Sequence, residues 1–458
     1  MTARDTPAAE SPAPPVQPAW TRRGTVYVMG VDGLSPSVVE PMMREGELPN
    51  LARLAAEGAW GPLATVEPTN SSLLWTSIGT GCHHRDHGVD GFRYYTLFGR
   101  LMTRSTLRKL KKYGLKLAVK RFESWGWLAS HLIDGRHVRR KTFWQILSDA
   151  GQRVGVVNWW HTWPASPVNG FIVSDRLFHW RMEATIGRGL PEGHLASPDD
   201  LLDEVRTVMT GPDEVTAEDA RRFVSLRDDE VAGFLGGDFT RHELRSELRY
   251  FIALDATCWR VFEHCIERFP DLSLAVVYFR GTDIAQHAAF QYVPWMQDVA
   301  VPEEDRRRYG QAVLETYRVA DAHVGKVLAR MRPEDALIVL SDHGFGFQSK
   351  RGTYGHARGR PPGVLFLYGR EFAAGRRIDG ADIYDFAPTL LRICGFPPAR
   401  DMQGSAIEEA LTAEFRRANP PQEPIGTYGA PGRGAAPKPS DELDKRIQDH
   451  LRGLGYFE

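Results

Sequence analysis

Residues 335–346 read Asp-Ala-Leu-Ile-Val-Leu-Ser-Asp-His-Gly-Phe-Gly. Ala336–Leu340 is a short apolar run, partly β-branched, which predicts a fully buried strand. The run stops at Ser341 and sets Asp342 and His343 just past the strand's end. Gly344 and Gly346 allow a tight backbone turn there. A carboxylate and an imidazole side by side suit a divalent cation such as Zn²⁺, which takes oxygen and nitrogen ligands. The same residues also fit a capped turn with an incidental histidine, so the other strand ends must decide.

Working outward, two more buried strands are predicted at Thr25–Val31 and Leu272–Phe279, and further ones at Arg153–Asn158 and Val364–Tyr368. Helical segments lie between them: Pro49–Ala56, a segment opening near Ser71, Thr142–Ala150, Glu304–Met331 and Asp382–Cys394. Strands alternating with helices predict a doubly wound, mainly parallel α/β sheet with helices on both faces. In such sheets ligands bind outside the carboxyl ends of the strands. Three of those ends carry acids, at Asp32, Asp283 and Asp342. Several like charges in one crevice are costly unless cations neutralise them.

The 458 residues are 42% hydrophobic and 25% charged, with formal net charge -1. That is ordinary globular composition, and no global field favours nucleic acid. Cys82, Cys258, Cys265 and Cys394 are scattered without a CxxC pair and read as buried thiols. The N-terminus lacks a signal-peptide pattern, and no apolar run approaches the roughly 20 residues of a membrane span. A cytoplasmic enzyme is the expectation. Residues 1–20, rich in Pro and Ala, are expected to be a disordered tail. The expected catalytic domain spans 21–410, with mostly helical insertions at about 93–141 and 176–265 forming a cap. A Pro/Gly-rich linker and terminal helix fill 411–458. Within the first insertion, 104–120 is basic with interleaved leucines. It reads as a solvated amphipathic helix, with a lid or membrane-surface element as the alternative.

Asp283-x-x-x-His287 can place both side chains on one face of a helical turn. His356 lies in a glycine-rich loop after the next strand end, and Asp32 and Ser71 come from the first third of the chain. Seven oxygen and nitrogen ligands from separated segments suit two adjacent metal ions, a clamp for both oxygens of a phosphoryl transfer. A serine at a helix N-terminus also aims backbone N–H groups at phosphate.

Val-Asp-Gly-Leu (31–34), Pro-Thr-Asn-Ser-Ser-Leu-Leu-Trp-Thr-Ser-Ile-Gly-Thr-Gly (68–81), His87-Gly88, Asp283-x-x-x-His287, Ser-Asp-His-Gly (341–344) and Gly355-His356 occur in order. The set resembles the alkaline phosphatase superfamily, and within it the type I phosphodiesterase/nucleotide pyrophosphatase branch, over roughly 25–404 outside the insertions. The resemblance implies an alkaline-phosphatase-like core and two ions, zinc or else manganese. Asp283, His287 and His356 would hold one ion. Asp32, Asp342, His343 and the nucleophile Ser71 would hold the other. Many relatives have Thr at that position; Thr69 and Ser72 are fallback nucleophiles. Leu74 stands where the nucleotide pyrophosphatases carry a phosphate-binding Asn, which draws the reading toward the poorly characterised bacterial members. Asn70, Arg280 and His161 are candidate substrate contacts. His83, His84, Asp86 and His87 form a dense cluster that the comparison places as a structural turn.

The function implied is a two-metal phosphohydrolase, a phosphodiesterase working through a phosphoseryl intermediate on a small phosphate ester. The alternatives are a phosphomonoesterase or phosphotransferase of the same superfamily, or a non-catalytic metal-stabilised binding protein. A sulfatase would need a Cys or Ser followed by the Pro and Arg of its modification motif, and neither follows Ser71.

Overall fold

The structure is a computed structural model. It describes residues 15–431 except 99, 103–106, 108–109, 111–112, 179–192, 238–242 and 357–358. The expected N-terminal tail lies largely, and the expected terminal helix wholly, outside the described residues.

Fourteen strands follow in chain order: β1 (Val26–Val31), β2 (Ala59–Leu63), β3 (Arg93–Leu97), β4 (Arg100–Met102), β5 (Leu128–Leu132), β6 (Val154–Val157), β7 (Gly170–Val173), β8 (Ala196–Ser197), β9 (Leu274–Phe279), β10 (Ala336–Leu340), β11 (Gly346–Gln348), β12 (Thr353–Gly355), β13 (Gly363–Tyr368) and β14 (Arg376–Arg377). Nine build the central sheet, in the order β14-β2-β13-β10-β1-β9-β6-β7-β8. Its middle is parallel: β10, β1, β9, β6 and β7 all run the same way. β13 and β8 are antiparallel to their neighbours. Every residue of β9 and β10 is buried, as the unbroken apolar runs demand of strands covered on both faces.

Helices cover both faces of this doubly wound sheet. Pro49–Glu57, Leu244–Arg268, Gly281–Ala289 and Gln311–Arg330 pack among themselves, and Ser71–Thr80 packs with Phe386–Ile393. Aromatic side chains join the Ser71–Thr80 helix to the strands. The Trp75 ring meets Trp159 at 4.9 Å and Tyr278 at 4.7 Å between centroids. Gly30 makes room for it, since a Cβ there would come within 2.7 Å of the Trp75 ring.

Two expectations change. The segment 304–331 is two helices, Glu303–Tyr309 and Gln311–Arg330, parted at Gly310. A Cβ at Gly310 would meet the Arg306 carbonyl oxygen at 2.5 Å, so the chain turns there on a residue without one. The basic segment 104–120 is not one helix. The described helix starts at Lys116, after Gly114 at φ +83°, and runs to Ser124. It packs on a separate three-stranded antiparallel sheet, β4-β3-β5, so the described first insertion is a mixed lobe rather than a helical one. Leu201–Val208, Ala217–Phe223, Asp228–Leu235 and Leu244–Arg268 are helices, the helical character expected of the second insertion.

Candidate active site

The sheet order explains why the acids converge. β10, β1 and β9 are adjacent and parallel, so their carboxyl ends open on one crevice. Asp342 and His343 follow β10, Asp32 follows β1, and Asp283 with His287 sits on the Gly281–Ala289 helix that follows β9. His356 comes from beyond the β11–β12 hairpin. All but His287, which is partly exposed, are buried.

His343 is the hub. Its Nε2 lies 3.3 Å from Asp32 Oδ1, 3.6 Å from Asp342 Oδ2 and 3.9 Å from Asp283 Oδ1. Asp283 Oδ1 is also 3.6 Å from His287 Nε2 and 3.9 Å from His356 Nε2. The His287 and His356 Nε2 atoms approach to 3.0 Å. Two groups have ligand atoms near enough to share an ion: Asp283, His343 and His356, and Asp32, Asp342 and His343. The geometry thus shares His343 between them, whereas the family resemblance splits the set with His287 in the first group.

Three carboxylates around one imidazole make a demanding charge balance. Burial and the neighbouring Asp32 charge push Asp342 well above the usual carboxylate range. Burial acts on Asp32 the same way, but the hydrogen bond and charge of His343, aided by the Tyr278 hydroxyl, hold it below its ordinary value. Burial opposes charge on His343, yet Asp342, Asp32 and Asp283 lift it to about 10. His356 is kept neutral, well below its ordinary value, by burial and by His343 and His287. Neither Asp342 oxygen has a hydrogen-bond partner among the described residues. A buried carboxylate without a donor is costly. Divalent cations answer that cost, so the donor set fits the two ions that the resemblance implies.

Ser71 opens the Ser71–Thr80 helix, whose cap is Asn70; the Asn70 side chain accepts from Leu73 N at 3.4 Å. The Ser71 hydroxyl lies 3.5 Å from Asp32 Oδ1, the only one of the three serine and threonine candidates placed beside a ligand in this way among the described residues. Ser72 points elsewhere: its Oγ donates to the Gly91 carbonyl at 2.9 Å and lies 2.7 Å from His161 Nε2. Thr69 Oγ1 reaches only the Val66 carbonyl, at 3.5 Å. His161 is therefore a neighbour of Ser72 rather than of the acids. Arg280 is buried with its guanidinium 5.2 Å from the Trp160 ring centre. In the His83–His87 turn, His87 Nε2 lies 3.0 Å from Ser77 Oγ, away from the acids. A cavity of about 450 Å³ lined by Trp144, Trp159, Trp160 and His161 takes in none of the seven ligand candidates.

Two residues escaped the sequence reading. The Tyr278 hydroxyl, in the middle of an apolar strand, donates to Asp32 Oδ2. Asp255, on the Leu244–Arg268 helix, takes the backbone N–H of Arg280 at 3.3 Å and of Gly281 at 3.0 Å. It thereby caps the helix that carries Asp283 and His287.

A parallel core whose strand ends deliver acids and imidazoles beside a helix-borne serine is the arrangement that the resemblance implies. The chain belongs to the type I phosphodiesterase / nucleotide pyrophosphatase family, whose pattern matches residues 26–355, and it is a phosphate-ester hydrolase by that membership. Among solved structures, one in complex with its substrate D-glucosamine-2-N,6-O-disulfate aligns over 86% of this chain and 81% of its own, at 15% identity and TM-score 0.41. A phosphonate monoester hydrolase from Silicibacter pomeroyi aligns over 84% and 76%, at 14% identity and TM-score 0.46. Phosphonoacetate hydrolase from Sinorhizobium meliloti 1021, in complex with phosphonoformate, aligns over 71% and 57%, at 15% identity and TM-score 0.37. No curated protein matches the chain.

Proposed function

We propose that the protein is a two-metal-dependent phosphodiesterase with Ser71 as its nucleophile. The observation that carries the reading is the gathering of Asp32, Asp283, Asp342 and His343 from three adjacent strand ends with His356 from beyond the β11–β12 hairpin, and the Ser71 hydroxyl 3.5 Å from Asp32. Asp32, Asp342 and His343 would hold one ion, with Ser71. Asp283, His287 and His356 would hold the other. Such ions, zinc or manganese by ligand type, would neutralise the carboxylates and supply positive charge to the serine oxygen and the phosphoryl group.

The chain's own residues do the rest. Asp32, held ionised by His343 and Tyr278, orients the Ser71 hydroxyl. Ser71 Oγ bonds to phosphorus as the leaving oxygen departs, and the hydroxyl proton ends on the released alcohol. The free N–H groups at the start of the Ser71–Thr80 helix face the phosphoryl oxygens. Water then cleaves the phosphoserine and restores the hydroxyl.

The test compares hydrolysis of bis-p-nitrophenyl phosphate and p-nitrophenyl phosphate by wild type, Ser71→Ala and Asp342→Asn. Each is assayed after chelation and after re-addition of Zn²⁺ or Mn²⁺, with bound metal counted by elemental analysis. The reading expects metal-restored diester cleavage in wild type and none in either variant. A marked monoester preference moves the assignment to a phosphatase. Absence of bound metal refutes the site and leaves the binding-protein alternative.

A further inference from the structure

The lobe β3–β5 with the Lys116–Ser124 helix takes no part in the chemistry above, yet its described surface is unusually apolar. Among the described residues seven large apolar side chains stand exposed, and six belong to this lobe: Phe98, Tyr113, Leu115, Leu117, Trp125 and Trp127. Leu117 is 82% and Tyr113 78% exposed. Among the described residues the lobe's own buried cluster is small, Leu107, Val119 and Leu128, and most of the exposed side chains lie outside it. Trp125 and Trp127 sit together at 4.6 Å between ring centres, with Phe98 5.2 Å from Trp127 and the Arg121 guanidinium 4.8 Å from Trp125.

The sequence of this stretch is also strongly cationic. Residues 93–132 contain ten Arg and Lys and one acid, Glu123, a formal +9 in a chain whose total is -1. Lys120 and Arg121 are exposed beside the aromatic cluster. Exposed tryptophan, tyrosine and leucine amid lysine and arginine match the two layers of a bilayer surface, the acyl boundary and the anionic headgroups. Leu115 and Leu117 have no π-face on which a base could stack, which favours lipid over nucleic acid.

The lobe is also rooted beside the catalytic serine. Gly91, two residues before β3, accepts the Ser72 hydroxyl, and the Ile133 N–H after β5 bonds the Phe92 carbonyl at 2.9 Å. We propose that the exposed face carrying Tyr113, Leu117, Lys120, Arg121, Trp125 and Trp127 is a docking surface for the headgroup layer of an anionic lipid bilayer. The proposal rests on the exposed surface and its charge, and stands apart from the reaction assigned above.

The test is flotation of the full-length, metal-loaded protein with phosphatidylcholine vesicles, with and without phosphatidylglycerol. The expected result is binding to the anionic vesicles alone, released near 0.5 M salt, where screening shortens to about 4 Å. Leu117→Glu and the pair Lys120→Glu with Arg121→Glu should each lower partition about tenfold or more. Both should leave the thermal midpoint and cleavage of a small soluble diester unchanged, because these side chains are exposed and belong to none of the ligand-bearing elements. The proposal falls if wild type floats with neither vesicle, if it binds neutral vesicles equally, or if Leu117→Glu binds like wild type. It falls equally if a single-stranded oligonucleotide is bound and the vesicles are not.

Discussion

Replacing Asp255 by Asn should make the protein more stable than wild type by about 4 kcal/mol at pH 8 but by only about 1.5 kcal/mol at pH 5. Asp255 is buried, and burial lifts its carboxyl to about 7 against the pull of the Gly281 and Arg280 N–H groups and the Arg280 charge. In the unfolded chain an aspartate titrates near pH 3.9. Between those two values the folded state keeps a proton that the unfolded state has released. Stability contributed by this group therefore falls as pH rises from about 4 to about 7 and is flat above. Three units at about 1.4 kcal/mol each give a loss on the order of 4 kcal/mol. Asparagine carries no such charge and can keep the oxygen that receives both N–H groups. The assay is urea unfolding of both proteins at pH 5 and pH 8 with metal content fixed. The difference between them cancels the titration of the neighbouring site acids. Asp255→Ala supplies the contrast, because it strands two N–H groups at about 1–3 kcal/mol each and should destabilise at both pH values. A difference between Asp255→Asn and wild type that does not change with pH would refute the reasoning.

Tyr278→Phe removes the hydroxyl that donates to Asp32 and accepts from Trp160 Nε1 at 2.8 Å. It should cost about 2–4 kcal/mol in thermal or urea unfolding and lower diester turnover. Gly30→Ala drives a methyl into the Trp75 ring and should cost about 1–3 kcal/mol, while Gly426→Ala, with nothing within 4 Å, should be neutral in the same melts. Ser71→Ala should lower kcat at least about a thousandfold with little change in stability. Ser72→Ala should do the reverse, because it strands His161 Nε2 and the Gly91 carbonyl, costing about 1–3 kcal/mol with turnover kept within about tenfold. Kinetics on the soluble diester separates the two serines.

The strands of the sheet centre were legible because burial on both faces leaves unbroken apolar runs. β10 was read to the residue, and β1 and β9 to within two. The residues at their carboxyl ends were legible for the same reason, since a polar pair straight after such a run stands out. Tyr278 was not, because a tyrosine inside an apolar strand looks like core until its hydroxyl is seen against Asp32. Asp255 was hidden differently: its partners lie 25 and 26 residues away, and no local pattern announces a cap supplied from another helix. The lobe was read as helical because its leucines and lysines dominate the eye. Arg93–Leu97, which pairs with β5 and β4, has no two-residue burial alternation to announce a strand. The break at Gly310 is not legible, because helical periodicity continues on both sides of it.

The pairing of β1 bears on how the chain is made. Its neighbours are β9 and β10, with Val26 opposite Leu274 on one side and Ala336 on the other. Synthesis proceeds at about 5–20 residues per second, so β1 leaves the ribosome roughly 15–60 s before its second neighbour exists. For that interval Val-Tyr-Val-Met-Gly-Val has no native partner on that edge, and such a segment is prone to pair with other chains. The carboxylate of Asp32 at the end of the run is then both a future ligand and a present guard, a charge beside the nascent chain's first sticky segment.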